Sequence, residues 1–238
     1  MPSEPAVVLT RPRGENARLA ARLAARGIAS HEIPCVEVRP LDDPSPLREA
    51  LRVLTGDDLL VITSRAGARA VATVLGGGPC AAPVAAIGPG TASACRDAGL
   101  RVTFVPSIAN GAALAAELPL PRGAILLARS DRAATEPGEI LARRGATVGE
   151  VVAYRTTAVA PREPVPAGAV VVFASPSAVD GFALSGADLA VAVAIGASTA
   201  ARVRAALGVA ARVAGPDDDE IAGAVAALVR EPDAVAGR

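Results

Sequence analysis

The stretch Ala86-Ile87-Gly88-Pro89-Gly90-Thr91-Ala92 has a second copy, Ala194-Ile195-Gly196-Ala197-Ser198-Thr199-Ala200. Each copy follows a short apolar run and leads into a segment rich in Ala and Arg, which is typical of a strand, a glycine turn and the start of a helix. Such a turn directs backbone N–H groups at any ligand above it. We therefore expect the two copies to face each other across a cleft that holds an anionic substrate.

The glycines and hydroxyls of these turns are the first candidate binding residues. Gly88 and Gly196 would let the backbone approach a ligand closely, because glycine has no side chain. Thr91, Ser198 and Thr199 can either cap the new helix or donate a hydroxyl outward to the ligand.

Composition and charge exclude several function classes. The 238 residues are 51% hydrophobic but only 2% aromatic, which suits parallel sheets covered by helices on both faces. The 24 cationic side chains balance 24 acidic ones and are all Arg, so Schiff-base lysine chemistry and a P-loop are excluded. Balanced charge and few aromatic rings also argue against a nucleic-acid partner.

The cysteines, the histidine and the N-terminus indicate the cellular setting. Cys35, Cys80 and Cys95 form no CxxC pair and His31 is the only histidine, so we predict no metal site and no disulfide framework. The first residues lack an export signal, and no apolar run is long enough to span a membrane. We expect a soluble cytoplasmic protein with no membrane partner.

Strand and helix patterns alternate along the chain, which predicts the α/β class with two doubly wound parallel sheets. The pattern also repeats. The segment from Val7 to Gly27 resembles that from Ile125 to Gly145, Val61-Ile62-Thr63-Ser64 resembles Val172-Phe173-Ala174-Ser175, and the two glycine turns match. We interpret this as an internal duplication. Prolines predict a loop from Pro40 to Pro46 and a second break from Pro161 to Pro166.

Further polar residues follow predicted strands, where ligands of doubly wound sheets bind. These candidates are Thr10, Arg11, Thr63, Ser64, Arg65, Arg129, Ser175 and Ser177. Taken singly, each hydroxyl could be a plain helix cap and each arginine could be solvated. Their concentration in both halves favours a lined cleft, in which the arginine forks would suit carboxylates.

Tyr154 is the only tyrosine and lies in a predicted extended run. Its ring could pack and do no more, or its O–H could serve as the one phenolic proton donor of the chain. The residues leave both interpretations open.

Three other motifs are better explained without a site. The turn at Gly88 lacks the third glycine and the acidic residue of a dinucleotide fingerprint. A Ser-His-Asp triad would need His31, which lies in a predicted strand rather than in a loop that follows one. The acidic run from Asp217 to Glu220 precedes a predicted helix, where carboxylates favour the helix dipole more often than they bind a metal.

In the order and spacing of its motifs, the sequence resembles the uroporphyrinogen-III synthase family. The resemblance covers the chain from Val7 to about Val229. Besides the two glycine turns, it rests on Val8-Leu9-Thr10-Arg11-Pro12, Val61-Ile62-Thr63-Ser64-Arg65-Ala66, Val152-Ala153-Tyr154-Arg155-Thr156 and Phe173-Ala174-Ser175-Pro176-Ser177-Ala178-Val179. One departure is Ala174, because the matching segment carries Thr63 at this place.

The resemblance implies two flavodoxin-like α/β/α domains joined by a two-stranded ladder, with one domain discontinuous. On this chain one domain would be residues 1–34 with 160–238, and the other would be residues 41–150. The ladder would pair residues 35–40 with 151–159. The sequence alone would equally allow two simple tandem halves.

The resemblance also implies an activity and a substrate. The family closes the linear tetrapyrrole hydroxymethylbilane with inversion of its fourth pyrrole ring and uses no cofactor or metal. Its substrates carry eight carboxylates, which suit helix N-termini, hydroxyls and arginines. Tyr154 would protonate or orient the leaving oxygen, and the protein would act as a monomer.

Two other classes compete with this enzyme hypothesis. One is a non-catalytic two-domain module of the same fold that binds or senses a carboxylated ligand without changing it. The other is a periplasmic-type binding protein, which the lack of an export signal disfavours.

Overall fold

The chain divides into two compact units in a computed structural model that describes residues 5–133, 135–215 and 217–230. Unit 1 combines Met1–Glu37 with Thr157–Arg238, and unit 2 consists of Val38–Thr156. Two details of the sequence interpretation, the match of Pro216 with Pro106 and a frayed C-terminus from 231 to 238, lie outside the described residues.

Strands and helices alternate along nearly the whole described chain. The strands are β1 (Val7–Leu9), β2 (Ser30–Glu32), β3 (Val36–Arg39), β4 (Leu59–Ile62), β5 (Val84–Ala86), β6 (Val102–Phe104), β7 (Ile125–Ser130), β8 (Val148–Ala158), β9 (Val170–Phe173), β10 (Val191–Ala194) and β11 (Ala211–Val213). The helices are α1 (Ala17–Ala24), α2 (Ser45–Arg52), α3 (Arg65–Leu75), α4 (Pro89–Asp97), α5 (Gly111–Glu117), α6 (Glu136–Arg143), α7 (Pro176–Ala183), α8 (Ala197–Leu207) and α9 (Asp218–Arg230).

Unit 1 is built on a five-stranded sheet in the order β2-β1-β9-β10-β11, and all its pairings are parallel. Counted along the chain, this is the flavodoxin-like order 2-1-3-4-5. The strand order reverses between β1 and β9, which is the switch point of the sheet. The prediction of a doubly wound α/β fold is therefore confirmed.

Unit 2 contains most of a six-stranded sheet in the order β3-β8-β7-β4-β5-β6, parallel from β8 to β6. Its switch point lies between β7 and β4. The sheets of the two units have equivalent strand orders. Position by position, β8, β7, β4, β5 and β6 of unit 2 correspond to β2, β1, β9, β10 and β11 of unit 1. The two sheets thus share one arrangement, but the chain enters them at different strands.

Hydrophobic residues pack on both faces of each sheet, because neighbouring residues of a strand point to opposite sides. In β9, Val170 and Val172 pack with residues of α1 and α9, whereas Val171 and Phe173 pack with residues of α7 and α8. The rings of Phe173 and Phe182 meet edge to face with centroids 5.4 Å apart. Short Val, Leu and Ala side chains fill the remaining space.

The loop predicted from Pro40 to Pro46 is wrong at its C-terminal end, because α2 begins at Ser45. Pro46 lies in the first turn of this helix, where the missing N–H removes no helical hydrogen bond. Leu47 and Leu51 are four residues apart and both buried. Their spacing was a helical signal that the surrounding prolines obscured.

The three cysteines are free thiols. Burial raises the pKa of Cys35 to about 12 and that of Cys95 to about 11, and it also raises the pKa of Cys80. The described helices include none that is long and apolar enough to cross a membrane.

Gly181 in α7 tests the packing of unit 1. A methyl group at this position would overlap the carbonyl oxygen of Cys35 and lie 2.6 Å from that of Val159. Because both obstacles are backbone atoms, we expect Gly181→Ala to lower the free energy of unfolding by at least about 2 kcal/mol. Urea unfolding followed by circular dichroism measures the change.

Gly223→Ala is the matched control, because Gly223 lies within α9 and a methyl group there would meet nothing within 4 Å. This substitution should be neutral or stabilise the helix by up to about 1 kcal/mol. Equal unfolding midpoints for the two variants would show that α7 does not pack as described.

Candidate functional site

The hydroxyls of Tyr154 and Ser64 meet at the carboxyl edge of unit 2, the side of the sheet where the parallel strands end. Their oxygens are 2.8 Å apart, and either hydroxyl can donate the hydrogen bond. Ser64 is the second residue after β4, and its Oγ also accepts the N–H of Gly67, which makes it the N-cap of α3. One serine therefore serves both the helix and the phenol.

The ring of Tyr154 is packed, and only 9% of the residue is exposed. Its neighbours belong to the apolar cluster that contains Leu60, Ile62 and Ala128. The two interpretations of Tyr154 are thus compatible, because the ring packs in the core while the hydroxyl reaches a polar partner. Packing fixes the ring, which in turn fixes the position of the phenolic oxygen.

A cluster of polar contacts holds the main chain around Tyr154. The N–H of Asp131 donates to the carbonyl oxygen of Tyr154 at 3.2 Å, and the Asp131 carboxylate accepts the N–H of Thr156 at 2.9 Å. The hydroxyls of Ser130 and Thr156 are 2.7 Å apart. The loop after β7 therefore clamps β8 on both sides of Arg155, immediately beside the phenol.

Arg129 does not follow its strand as predicted but lies within β7, which continues to Ser130. The residue is buried, and its guanidinium is 3.0 Å from the Glu150 carboxylate of β8. A longer contact of 3.5 Å reaches the carbonyl oxygen of Ala133. In this conformation Arg129 ties β7 to β8 and to the loop beyond.

The first glycine turn begins α4, with Gly88 at the N-cap position in an extended conformation. A methyl group on Gly88 would lie 2.7 Å from Cβ of Ala109, so the neighbouring loop already requires a glycine here. Thr91 lies inside the first helical turn and is buried. The capping alternative therefore does not hold for Thr91.

The second glycine turn begins α8 in unit 1, with Gly196 at the N-cap. A methyl group on Gly196 would meet nothing within 4 Å, in contrast to Gly88. Ser198 is exposed and Thr199 is buried. Of the two turns, this one has the open space that a close ligand needs.

The serines after β9 lie at the carboxyl edge of unit 1. Ser175 is the N-cap of α7 and accepts the N–H of Ala178 at 3.2 Å. Pro176 occupies the first helical turn as predicted, and Ser177 is buried in the same turn. Capping is thus a demonstrated role for Ser175 and Ser64.

Thr10 and Arg11 directly follow β1 at the switch point of unit 1. Thr10 is fully buried, and its hydroxyl donates to the carbonyl oxygen of Val172 at 2.7 Å. The Arg11 guanidinium lies 2.9 Å from the carboxylate of Asp218, the first residue of α9. In this conformation Thr10 serves the sheet, whereas Arg11 takes part in an ion pair.

Three residues of these clusters were missed by sequence reasoning, namely Asp131, Thr156 and Asp218. Asp131 directly follows the strand β7, which is the same signal that selected Ser64. Asp218 was assigned to the helix dipole. Its N-terminal position in α9 is compatible with that role, but no local pattern indicated that Arg11 is its partner.

Comparisons with known proteins agree on one family. The sequence model of the family Uroporphyrinogen-III synthase HemD matches residues 17–221. A chloroplastic uroporphyrinogen-III synthase of Oryza sativa subsp. japonica is 32% identical over 191 residues, which are 74% of this chain and 63% of the relative. A uroporphyrinogen-III synthase of Synechococcus elongatus is 29% identical over 160 residues, or 63% of this chain and 60% of the relative.

The matched regions thus span less than two thirds of the length of these curated relatives. Among solved structures, a crystal structure of uroporphyrinogen-III synthetase from Helicobacter pylori has a TM-score of 0.60 at 18% sequence identity. The similarity covers 94% of this chain and 99% of that structure, which supports the fold described above.

Ser64→Ala tests the contact with the phenol. The substitution removes the cap of α3, which costs about 1 kcal/mol. It also leaves the Tyr154 hydroxyl without its Ser64 partner, which adds about 1 kcal/mol for a buried group. We expect the sum of both losses in urea unfolding of the full chain.

Asn110→Ala is the matched control in the same unit, because the Asn110 side chain caps α5 by accepting the N–H of Ala113. It should cost the capping energy alone. If the two variants are equally destabilised, the bond between Ser64 and Tyr154 contributes nothing to stability.

Proposed function

The chain belongs to the uroporphyrinogen-III synthase HemD family, and we propose that it catalyses the reaction for which that family is named. It would close hydroxymethylbilane to uroporphyrinogen III, with inversion of the fourth pyrrole ring and loss of water. The observation that carries the proposal is the Tyr154 hydroxyl, held 2.8 Å from Ser64 where β4 ends beside the switch point of unit 2. Ligands of doubly wound sheets bind at this place.

We further propose that polar groups at the carboxyl edges bind the substrate carboxylates. First-turn N–H groups of helices and the hydroxyls beside them suit anions. The proposed binding residues are Thr63, Ser64, Arg65, Gly88 and Thr91 in unit 2, and Arg11, Ser175, Ser177, Gly196, Ser198 and Thr199 in unit 1. Thr10 and Arg129 would support these edges from within the sheets. The expectation that both glycine turns bind one substrate rests on the sequence alone.

The domain boundaries remain part of the proposal: residues 1–34 with 160–238, residues 41–150, and a ladder of 35–40 with 151–159. The chain passes between the units after Glu37 and after Thr156, and both points lie inside the proposed ladder. The neighbouring positions of β3 and β8 in the sheet also support it.

In the proposed mechanism Tyr154 donates its proton to the hydroxyl of the substrate's hydroxymethyl group. The C–O bond breaks, water leaves, and the substituted carbon of the fourth ring attacks the resulting cation to give a spiro intermediate. The bond from that carbon to its original methylene bridge then breaks, and the free α-carbon of the same ring attacks the bridge and closes the macrocycle. The proton that this α-carbon loses balances the one that Tyr154 donates. Ser64 can donate a hydrogen bond to the phenolate that remains. General acid catalysis of this kind contributes about 100-fold to 10,000-fold.

The experiment incubates hydroxymethylbilane with the protein and separates the product isomers. We expect the parent to form the inverted type III product, whereas a buffer control gives the uninverted type I product of unassisted closure. Tyr154→Phe keeps the packed ring and removes only the hydroxyl. It should lower turnover at least about 100-fold, because the proton donor is lost.

Two results would contradict the proposal. If the parent gives the same isomers as buffer, the enzyme hypothesis is wrong, and the alternative of a non-catalytic carboxylate-binding module is favoured. If Tyr154→Phe turns over within about threefold of an active parent, Tyr154 is not the proton donor. The expectations of a cytoplasmic monomer without cofactor or metal stay predictions.

A further inference from the structure

Arg11 and Asp218 form an ion pair between residues 207 positions apart in the chain. Nη1 of Arg11 donates to Oδ1 of Asp218 at 2.9 Å, and the two side chains are only 15% and 13% exposed. Partial burial reduces screening by salt and water. The pair is thus a defined contact rather than a mobile surface pair.

The main chain at Arg11 is fixed as well. Thr10, its neighbour, donates its hydroxyl to Val172 and accepts the N–H of Cys35 at its carbonyl oxygen. The loop that follows is held by the Glu32 carboxylate, which accepts the N–H of Gly14 at 2.7 Å and the Asn16 amide at 3.0 Å. The backbone on both sides of Arg11 is therefore held in place at the switch point between β1 and β9.

Other ion pairs join α9 to α1 and to the turn after it. The carboxylate of Asp219 lies 3.3 Å from Arg22 and 3.4 Å from Arg26, and both arginines are on α1 or in the turn after it. Asp218 forms a longer ion pair with Arg18 of α1, at 3.5 Å. Adjacent carboxylates of one helical turn thus have different partners: Asp219 pairs with the helix, and Asp218 reaches the edge of the sheet.

We propose that Asp218 is a positioning residue, which holds the Arg11 guanidinium in the orientation that binds a substrate carboxylate. The inference rests on the proposed function. A guanidinium has five N–H donors in a planar fork, so the bond to Asp218 uses one and leaves donors for a second carboxylate. Holding the side chain before binding reduces the entropy that binding would otherwise cost.

The opposite role would be competition, in which Asp218 neutralises Arg11 and keeps substrate carboxylates away. The two roles differ in sign. Removing a positioning residue weakens substrate binding, whereas removing a competitor strengthens it.

The test compares Asp218→Asn with Asp219→Asn, because both remove one negative charge from the same helical turn. For each variant, kcat and KM are measured with hydroxymethylbilane. Affinity for uroporphyrin III, a stable macrocycle with eight carboxylates, is measured by fluorescence titration. We expect Asp218→Asn to raise KM and the dissociation constant about threefold to tenfold, the effect of one side chain that must be ordered on binding. Its kcat and all constants of Asp219→Asn should stay within about twofold of the parent.

Arg11→Gln provides the second measurement and guards against a general loss of folding. In this background Asp218→Asn should have no further effect on either constant, because the side chain that it positions is gone. Serine, like asparagine, is favoured at the start of a helix, so Asp218→Ser should have the same KM and dissociation constant as Asp218→Asn.

The inference is overturned if Asp218→Asn binds the macrocycle as well as or better than Asp219→Asn, or if its effect persists undiminished in Arg11→Gln. It is also overturned if the parent does not bind the macrocycle at all. A parent that binds it with normal dependence on Asp218 but forms no type III isomer would refute the proposed function alone.

Discussion

The hydrogen bond between Ser64 and Tyr154 is the contact on which the account of the site depends. It joins β8 to the start of α3, the helix that follows β4, although β7 lies between β8 and β4 in the sheet. The same serine oxygen caps α3, so the position of the phenol is coupled to the start of a helix. A hydroxyl on a packed ring has little freedom, and fixed geometry is what a proton donor requires.

The two units share one sheet architecture but carry different polar groups at the carboxyl edges of their sheets. Their sheets have the same strand order, and in both a serine caps the helix that follows an equivalent strand, Ser64 after β4 and Ser175 after β9. Only unit 2 places a phenol beside that serine. At the switch point of unit 1, the equivalent edge carries the ion pair of Arg11 and Asp218 instead. The two units thus have similar edges, and the residues that follow the strands give each edge its own chemistry.

Much of the fold could be predicted from the sequence, because several strands are continuous apolar runs and several helices are followed within three residues by a glycine. The apolar runs Leu59–Ile62 and Val170–Phe173 predict two strands, which are β4 and β9, and the glycine after the first helical pattern predicts a left-handed residue at Gly27, whose φ is 76°. The helix α2 was missed because its first turn contains Pro46, which is read as a loop signal although it is allowed there.

The site was harder to predict, because its contacts join distant parts of the chain. Its position after a strand identified Ser64 as a candidate, and Tyr154 was a candidate as the only phenol of the chain. Nothing local indicated that these residues, 90 positions apart, share a hydrogen bond. Arg129 was placed after its strand, since β7 continues two residues beyond its apolar run, through Arg129 to Ser130. The roles of Asp131 and Asp218 depend on hydrogen-bond and ion-pair partners elsewhere in the chain, which hydrophobic periodicity does not predict.

A double-mutant cycle on kcat for Ser64→Ala and Tyr154→Phe tests the central claim most directly. If Ser64 acts through the phenol, its removal lowers kcat about tenfold in the parent and has no further effect once the hydroxyl of Tyr154 is gone. Asn110→Ala, which removes only a cap, should leave kcat nearly unchanged in both backgrounds. Additive effects of Ser64→Ala and Tyr154→Phe would contradict the account, because the two hydroxyls would then act independently.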